Sequence, residues 1–287
     1  EPLQVDVGDM DWTQKRLVVM SYNSSGLWQT FDPSTGASVL ETRPADEFGW
    51  LLSPDERYLA YSTIASNGSL SQFQILDTQD GSSDRMADVS TAYHQPLLWS
   101  PDSRVLLFQR RTANGMNILY LFRPETNRRT LVSSVASDPA FSPDGQQIIY
   151  TTYVGEASSP RVEIYDLSTG ERRWLLPNDE FDQRTPAWSP DGQWIAMAYD
   201  DALGVVRVDG TDLQVLTSPF FVSNPVWSPD GNSLVFIAGA GITSMYQVAD
   251  VQSAVDQVRQ AGHPLDPLSL TLDRQVYGVY PVWQPVG

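Results

Sequence analysis

An all-β fold built from a repeated unit is what the sequence predicts, on three observations. The tripeptide Ser-Pro-Asp recurs five times, at Ser53, Ser100, Ser142, Ser189 and Ser228, with its prolines 47, 42, 47 and 39 residues apart. A short apolar run follows every copy, and turn-forming clusters separate further strand-like runs before the next. One segment alone, 249–262, carries a helical pattern. Short strands at a fixed period of about 40–50 residues mark a repeat architecture. A four-stranded unit cannot bury both faces by itself, and radial packing buries them between neighbours. The expectation is therefore a six-bladed β-propeller of four-stranded blades, with seven blades as the alternative, in a single domain of residues 1–287.

Each element of the repeat has a physical reason. The residue before the serine is a large anchor: Trp99, Phe141, Trp188 and Trp227, with Leu52 in the first copy and Trp50 two residues earlier. Proline presets φ for the first corner of a tight turn, and the Ser and Asp side chains bond nearby backbone amides. Gly145, Gly192 and Gly231 follow the aspartate, where the turn needs a positive φ. Next comes the second strand of the blade: Tyr58–Tyr61, Val105–Phe108, Ile148–Tyr150, Ile195–Ala198 and Leu234–Ile237. A third strand follows, such as Asn117–Phe122 or Val162–Leu167, then a Gly-containing turn and a short fourth strand such as Arg172–Leu176. Degenerate copies at Trp12 and Trp283 mark the two ends. A strand at Val279–Trp283 is expected to join the blade of residues 12–40 and close the ring, removing an exposed edge.

The helical pattern of 249–262 places Val251, Ala254, Val255 and Val258 on one face, and Gly262 with Pro264 supply a stop. It reads as an insertion in the last blade.

The aromatic-Ser-Pro-Asp-Gly signature resembles that of the TolB-like, WD-repeat-related propeller family, over residues 9–286. The resemblance specifies a fold and no single activity. It implies a channel face often presented to a protein or peptide, and in some members a divalent cation in the channel. Similar propellers also gate prolyl-oligopeptidase-like peptidases, and related propeller lyases use several histidines with a metal.

Composition narrows the chemistry. The chain has no cysteine, two histidines and a formal net charge of −17, with Lys15 its single lysine. That excludes disulfides, thiolate zinc sites and cysteine nucleophiles. It also opposes nucleic-acid binding, which needs clustered Lys and Arg. No apolar run reaches the roughly 18 residues of a membrane span, so no direct membrane insertion is expected. No Gly-x-Ser-x-Gly elbow is present. His94 and His263 read as loop residues. Asp55, Asp102, Asp144, Asp191 and Asp230 read as turn residues. Asp77, Asp80 and Asp84 read as a solvated turn rather than a calcium loop, since their spacing is not that of an EF-hand. The pairs Arg110-Arg111, Arg128-Arg129 and Arg172-Arg173 read as partners for the abundant carboxylates.

Blade topology supplies the better candidates. The residue three before each motif aromatic should stand at the entrance of the central channel, where loops converge. Those positions are Asp138, Thr185, Asn224 and Tyr280, with Gln95 beside Pro96 in the third blade and Asp46-Glu47 in the second. Glu156, Asp200 and Asp201 join this rim from longer loops. The functional expectation is a non-catalytic, monomeric binding scaffold with a protein or peptide partner, no catalytic residue, no protein-held metal and no cofactor beyond a divalent cation compatible with the channel. The alternative is a peptidase gate or a propeller lyase lacking recognisable catalytic residues. The missing initiator methionine, the acidic surface and the resemblance together suggest an extracytoplasmic chain, periplasmic or at the cell surface, tethered by an N-terminal anchor outside the sequence.

Overall fold

A computed structural model describes residues 7–12, 17–21, 27–31, 38–42, 47–64, 71–86, 93–112, 115–153, 159–178, 180–218, 220–239, 244–266 and 271–275. Among these, six four-stranded antiparallel sheets follow one another, each made of four consecutive strands in sequential order. The first sheet holds β1 (Val7–Trp12), β2 (Leu17–Ser21), β3 (Leu27–Phe31) and β4 (Ser38–Thr42). The second holds β5 (Glu47–Leu52), β6 (Tyr58–Ile64), β7 (Ser71–Asp77) and β8 (Ser83–Met86). The third holds β9 (Tyr93–Trp99), β10 (Leu106–Arg111), β11 (Asn117–Arg123) and β12 (Arg128–Ser133). The fourth holds β13 (Ala136–Phe141), β14 (Gln147–Tyr153), β15 (Pro160–Asp166) and β16 (Arg172–Trp174). The fifth holds β17 (Gln183–Trp188), β18 (Trp194–Tyr199), β19 (Ala202–Arg207) and β20 (Gln214–Val215). The sixth holds β21 (Ser223–Trp227), β22 (Leu234–Ala238), β23 (Ser244–Val248) and β24 (Thr271–Gln275), with α1 (Val251–Ala261) between its last two strands. The first sheet thus has four strands of its own, beginning with β1. The closing strand expected at Val279–Trp283 lies outside the described residues.

The five turns are superimposable in their bonding. Each serine hydroxyl donates to the aspartate two residues on at 2.5–2.6 Å, in Ser53–Asp55, Ser100–Asp102, Ser142–Asp144, Ser189–Asp191 and Ser228–Asp230. The same oxygen accepts the backbone N–H five residues on, at 2.8–2.9 Å. The aspartate then accepts the amide two residues beyond it at 3.0–3.1 Å. The residue after the aspartate has φ between 63° and 73°: Gly145, Gly192 and Gly231, but Glu56 and Ser103 in the first two copies. Ser103 offsets that conformation by accepting the amide of Asp55 from the neighbouring sheet at 3.0 Å. All five aspartates are therefore bonded within their own turns, as the sequence suggested.

Two compact units divide the chain at 135/136. In residues 1–135 the core between the second and third sheets is aromatic. Phe73 stacks on Phe108 with ring centroids 5.1 Å apart, and Tyr58 on Trp99 at 5.9 Å. Trp99 Nε1 donates to the Leu51 carbonyl at 3.1 Å, so the anchor is also a lateral hydrogen bond. In residues 136–287 aliphatic residues dominate, with Ile149, Ile164, Ile195, Met197 and Val206 buried between the fourth and fifth sheets. Trp227 repeats the lateral bond, donating to the Ala187 carbonyl at 3.2 Å.

Helix α1 packs through Val251, Ala254 and Val255, with Val258 partly buried, on a further core shared by the fifth and sixth sheets. Asp250 is its N-cap, accepting the Ser253 amide at 2.9 Å, and Gly262 ends it at φ 69°. Buried Val251, Ala254 and Val255 explain why a helix is tolerated in an otherwise β repeat: its apolar stripe extends the core of the last sheet.

Other aspartates also stabilise turns, and this sets an acid limit. Asp166 lies below its ordinary carboxyl range because the Ser168 hydroxyl and the amides of Thr169 and Ser168 donate to it. Thr211 lowers Asp209, Ser228 lowers Asp230, and the Arg259 guanidinium lowers Asp212. For Asp55, burial acts upward, but the Ser53 hydroxyl, the Arg57 amide and Ser103 outweigh it. Each group binds protons more weakly folded than unfolded. Its stabilisation is complete above the unfolded value of about 4 and is lost as pH falls through the lower folded value. The thermal midpoint is expected to be flat from pH 7 to about 5 and to fall below about 4. A melting series by circular dichroism checks this, and a midpoint unchanged at pH 3 would contradict it.

Candidate functional site

The first strands of the last three sheets share one irregularity. The β13–β14 register breaks between Ser137 and Ala140, β17–β18 between Arg184 and Ala187, and β21–β22 between Ser223 and Val226. Each break leaves two residues outside the ladder: Asp138-Pro139, Thr185-Pro186 and Asn224-Pro225. Proline fits because it has no N–H to lose from the ladder. The residue before it takes the strain. Asp138, Thr185 and Asn224 have φ of 52°, 48° and 48°. Asp and Asn reach the left-handed region at modest cost, but a β-branched Thr there is an outlier. Bulges of this kind re-aim side chains, and strained backbone concentrates at functional sites.

The three bulges form one arc. Strand β13 lies against β17, and β17 against β21. Thr185 Oγ1 accepts the Asn224 amide at 3.2 Å, joining two of the bulges directly. Asp138 is exposed and its carboxylate accepts the Ser137 hydroxyl at 2.8 Å. Thr185 and Asn224 are half-buried. Thus three expected positions occur in equivalent places on successive sheets, and the sequence offset of three before the aromatic corresponds to the bulge.

Asp200 and Asp201 form the whole turn between β18 and β19, both with positive φ, at 46° and 64°. Two left-handed residues suit the tight hairpin that matches strand twist. The turn is tied to both adjoining connections. Asp200 donates its amide to the Asp182 carbonyl at 2.9 Å. The Asp201 carbonyl accepts the amides of Phe220 at 2.9 Å and Val222 at 3.0 Å. The backbone of the turn is thus fixed on both sides, with Asp200 exposed.

Phe181 and Phe221 flank this turn and were not anticipated. Phe181 is 53% exposed and meets Tyr199 edge-on at 5.6 Å, while Phe221 is 59% exposed with φ 51°. A bulky aromatic held outward in a left-handed conformation is costly unless the surroundings enforce it. Here Phe220 packs inward on Tyr246 at 5.8 Å and Val222 is buried, so Phe221 between them is forced out. The Phe220-Phe221 doublet within a connection was the available signal.

The remaining candidates fall elsewhere. Glu47 lies in β5 opposite Thr63, and Gln95 in β9 opposite Gln109, both within residues 1–135. Asp46, Glu156 and Tyr280 lie outside the described residues. His94 is in β9 opposite Arg110, not in a loop, because that strand begins at Tyr93. Exposed His263 lies with Nδ1 3.0 Å from the Pro264 carbonyl. Asp77 accepts Arg57 Nε at 3.1 Å and the Gln79 amide at 2.9 Å, and Asp80 accepts the Ser82 amide, so both serve their turn. Three of the paired arginines meet groups other than the expected carboxylates: Arg129 lies over Tyr120 and Arg172 over Tyr165, and Arg173 donates to the Val208 carbonyl. Among the described residues no three His, Cys, Asp or Glu side chains converge as a metal site, and no helix is long and apolar enough to cross a membrane.

Known proteins share this repeat. The sequence model of the TolB beta propeller domain matches residues 125–267. The Protein TolB homolog of Chlorobium luteolum is 36% identical over 196 residues, covering 62% of this chain and 42% of that protein. An uncharacterized peptidase, YuxL, of Bacillus subtilis is 32% identical over 124 residues, 39% of this chain and 18% of that protein. The chain therefore spans less than half the length of these relatives. Among solved structures, the β-propeller domain of the trilobed protease from Pyrococcus furiosus shares its fold, with a TM-score of 0.58, 14% identity and coverage of 84% of this chain and 82% of that one. The repeated turn, the succession of four-stranded sheets and these matches agree: the chain belongs to the TolB-like β-propellers.

Proposed function

We propose that this chain is a non-catalytic binding scaffold that takes a protein or peptide partner on the loop end of residues 136–287. The observation that carries the reading is the arc Asp138–Thr185–Asn224, with Asp200-Asp201 and two outward phenylalanines on the same connections. Acceptors fixed by backbone strain, next to exposed aromatic anchors, suit recognition of another chain. The acidic rim favours a partner segment with Lys or Arg beside apolar residues. A six-bladed ring in a single domain, with this end as its channel mouth, belongs to the same proposal, as do Glu47 and Gln95 as rim residues. Similarity to a TolB homologue supports a binding role outside the cytoplasm, and fractionation of cells carrying the full-length gene tests that location.

The test of the site uses peptides selected from a random display library against the immobilised chain. Asp138→Lys and Asp200→Lys are each expected to weaken the selected peptides about tenfold, by reversing a rim charge. Unchanged affinity in both variants would remove this face from the site. The similarity to YuxL favours a second reading, the gate of a peptidase. It predicts hydrolase sequence adjoining this segment in the full-length gene.

A further inference from the structure

The opposite end of the last two sheets, where the Ser-Pro-Asp turns lie, carries a cleft that the binding face does not use. It measures about 220 Å³ and is walled by Trp194 and Trp227, by Val251 and Val255 of helix α1, and by the turns of Asp191 and Asp230. That volume is below the roughly 300–1,000 Å³ of pockets for drug-sized ligands and suits one side chain. The cleft exists because the repeat is interrupted here: α1 stands beside the last two turns as an extra wall.

Its chemistry is one-sided. Asp191, Asp230 and Asp250 line it, and no lysine, arginine or histidine does. Each carboxylate is held in place through Oδ1, Asp191 and Asp230 by their turns and Asp250 by the Ser253 amide, and Asp230 also accepts the Asn232 side-chain amide through Oδ2 at 2.9 Å. The indoles add two aromatic surfaces. Trp194 already has the Arg207 guanidinium 4.5 Å from its ring centroid, although Arg207 is not part of the lining. Indole faces beside carboxylates select a planar guanidinium over a compact ammonium: it stacks on the ring and presents a fork of donors to the acids.

We propose that this cleft is a second binding site, which takes one arginine side chain of an extended partner segment. The aliphatic stem lies along Val251 and Val255, and the guanidinium lies between the indoles and the carboxylates. The site is independent of the loop-end reading and survives its failure.

Titration of the full chain with N-acetyl-arginine-methylamide, followed by the indole N–H signals of Trp194 and Trp227 in NMR spectra, tests it. Both signals should shift saturably, with affinity at least fivefold above that of the citrulline analogue, which keeps the shape and loses the charge. Gln252→Arg places a competing cation at the rim on an exposed helix position. It should weaken binding at least tenfold with the melting temperature unchanged. Equal binding of the citrulline analogue, or unchanged affinity in Gln252→Arg, would overturn the site. Tighter binding of free arginine than of the capped form would overturn the assignment to a peptide segment.

Discussion

Replacing Ser189 by alanine is expected to destabilise the fold by about 3 kcal/mol, although it removes a single oxygen. That oxygen is 2% exposed as a residue, accepts the Trp194 amide at 2.9 Å and donates to Asp191 at 2.6 Å. Its loss leaves a backbone N–H without its acceptor, costing about 1–3 kcal/mol, and removes a bond to a charged acceptor of about 1.5–3 kcal/mol. The two are coupled, so a value nearer the middle than the sum is expected. For a chain of this size that lowers the thermal midpoint by roughly 6–12 °C. Ser168→Ala is the control. Ser168 also donates to an aspartate, Asp166, at 2.6 Å, but is exposed, and water replaces the bond. Its expected cost is under about 1 kcal/mol. Equal effects in the two variants would show that the Trp194 amide held by Ser189 does not matter. Five such turns explain the repetition of Ser-Pro-Asp: each one closes the hairpin-like step between the first and second strands of a sheet.

The fold was readable because its determinants are local. Ser, Pro and Asp act within six residues, and strand, turn and aromatic anchor recur at a spacing that needs no knowledge of distant contacts. Helix α1 was readable for the same reason: its stripe and its stop lie within one segment, and the helix itself begins at Val251, after the Asp250 cap. The placement of the proposed site residues was readable in part. The offset of three residues before the aromatic located Asp138, Thr185 and Asn224, because a bulge is fixed by its own strand. What the sequence could not reveal was which other groups the connections bring beside that arc. Asp201 meets Phe220 and Val222 through backbone bonds across some twenty residues, and the outward turn of Phe221 follows from the burial of Val222 and the packing of half-buried Phe220 on Tyr246. His94 was misplaced for a related reason. Its strand is recognised by pairing with Gln109, Arg110 and Arg111, not by any pattern of its own.

If the loop end is the binding face, Phe221 is expected to separate binding from stability. Substitution Phe221→Gly is expected to raise stability by up to about 1 kcal/mol while weakening peptide binding by about 2 kcal/mol, roughly 30-fold. The side chain is 59% exposed and buries little on folding, and its φ of 51° is one that glycine adopts without strain. Glycine also enlarges the freedom of the unfolded chain, which trims the gain. Phe181→Ala should likewise weaken binding about tenfold, with a small loss of stability from its edge contact to Tyr199. Such opposition is what a strained functional residue produces, since stability was given up to hold the ring in the open. The measurement is a pair of curves for each variant: thermal unfolding, and titration with the selected peptides. Destabilisation by Phe221→Gly with unchanged affinity would make Phe221 a structural residue. It would leave the arc of Asp138, Thr185 and Asn224 to account for binding without an aromatic anchor at that position.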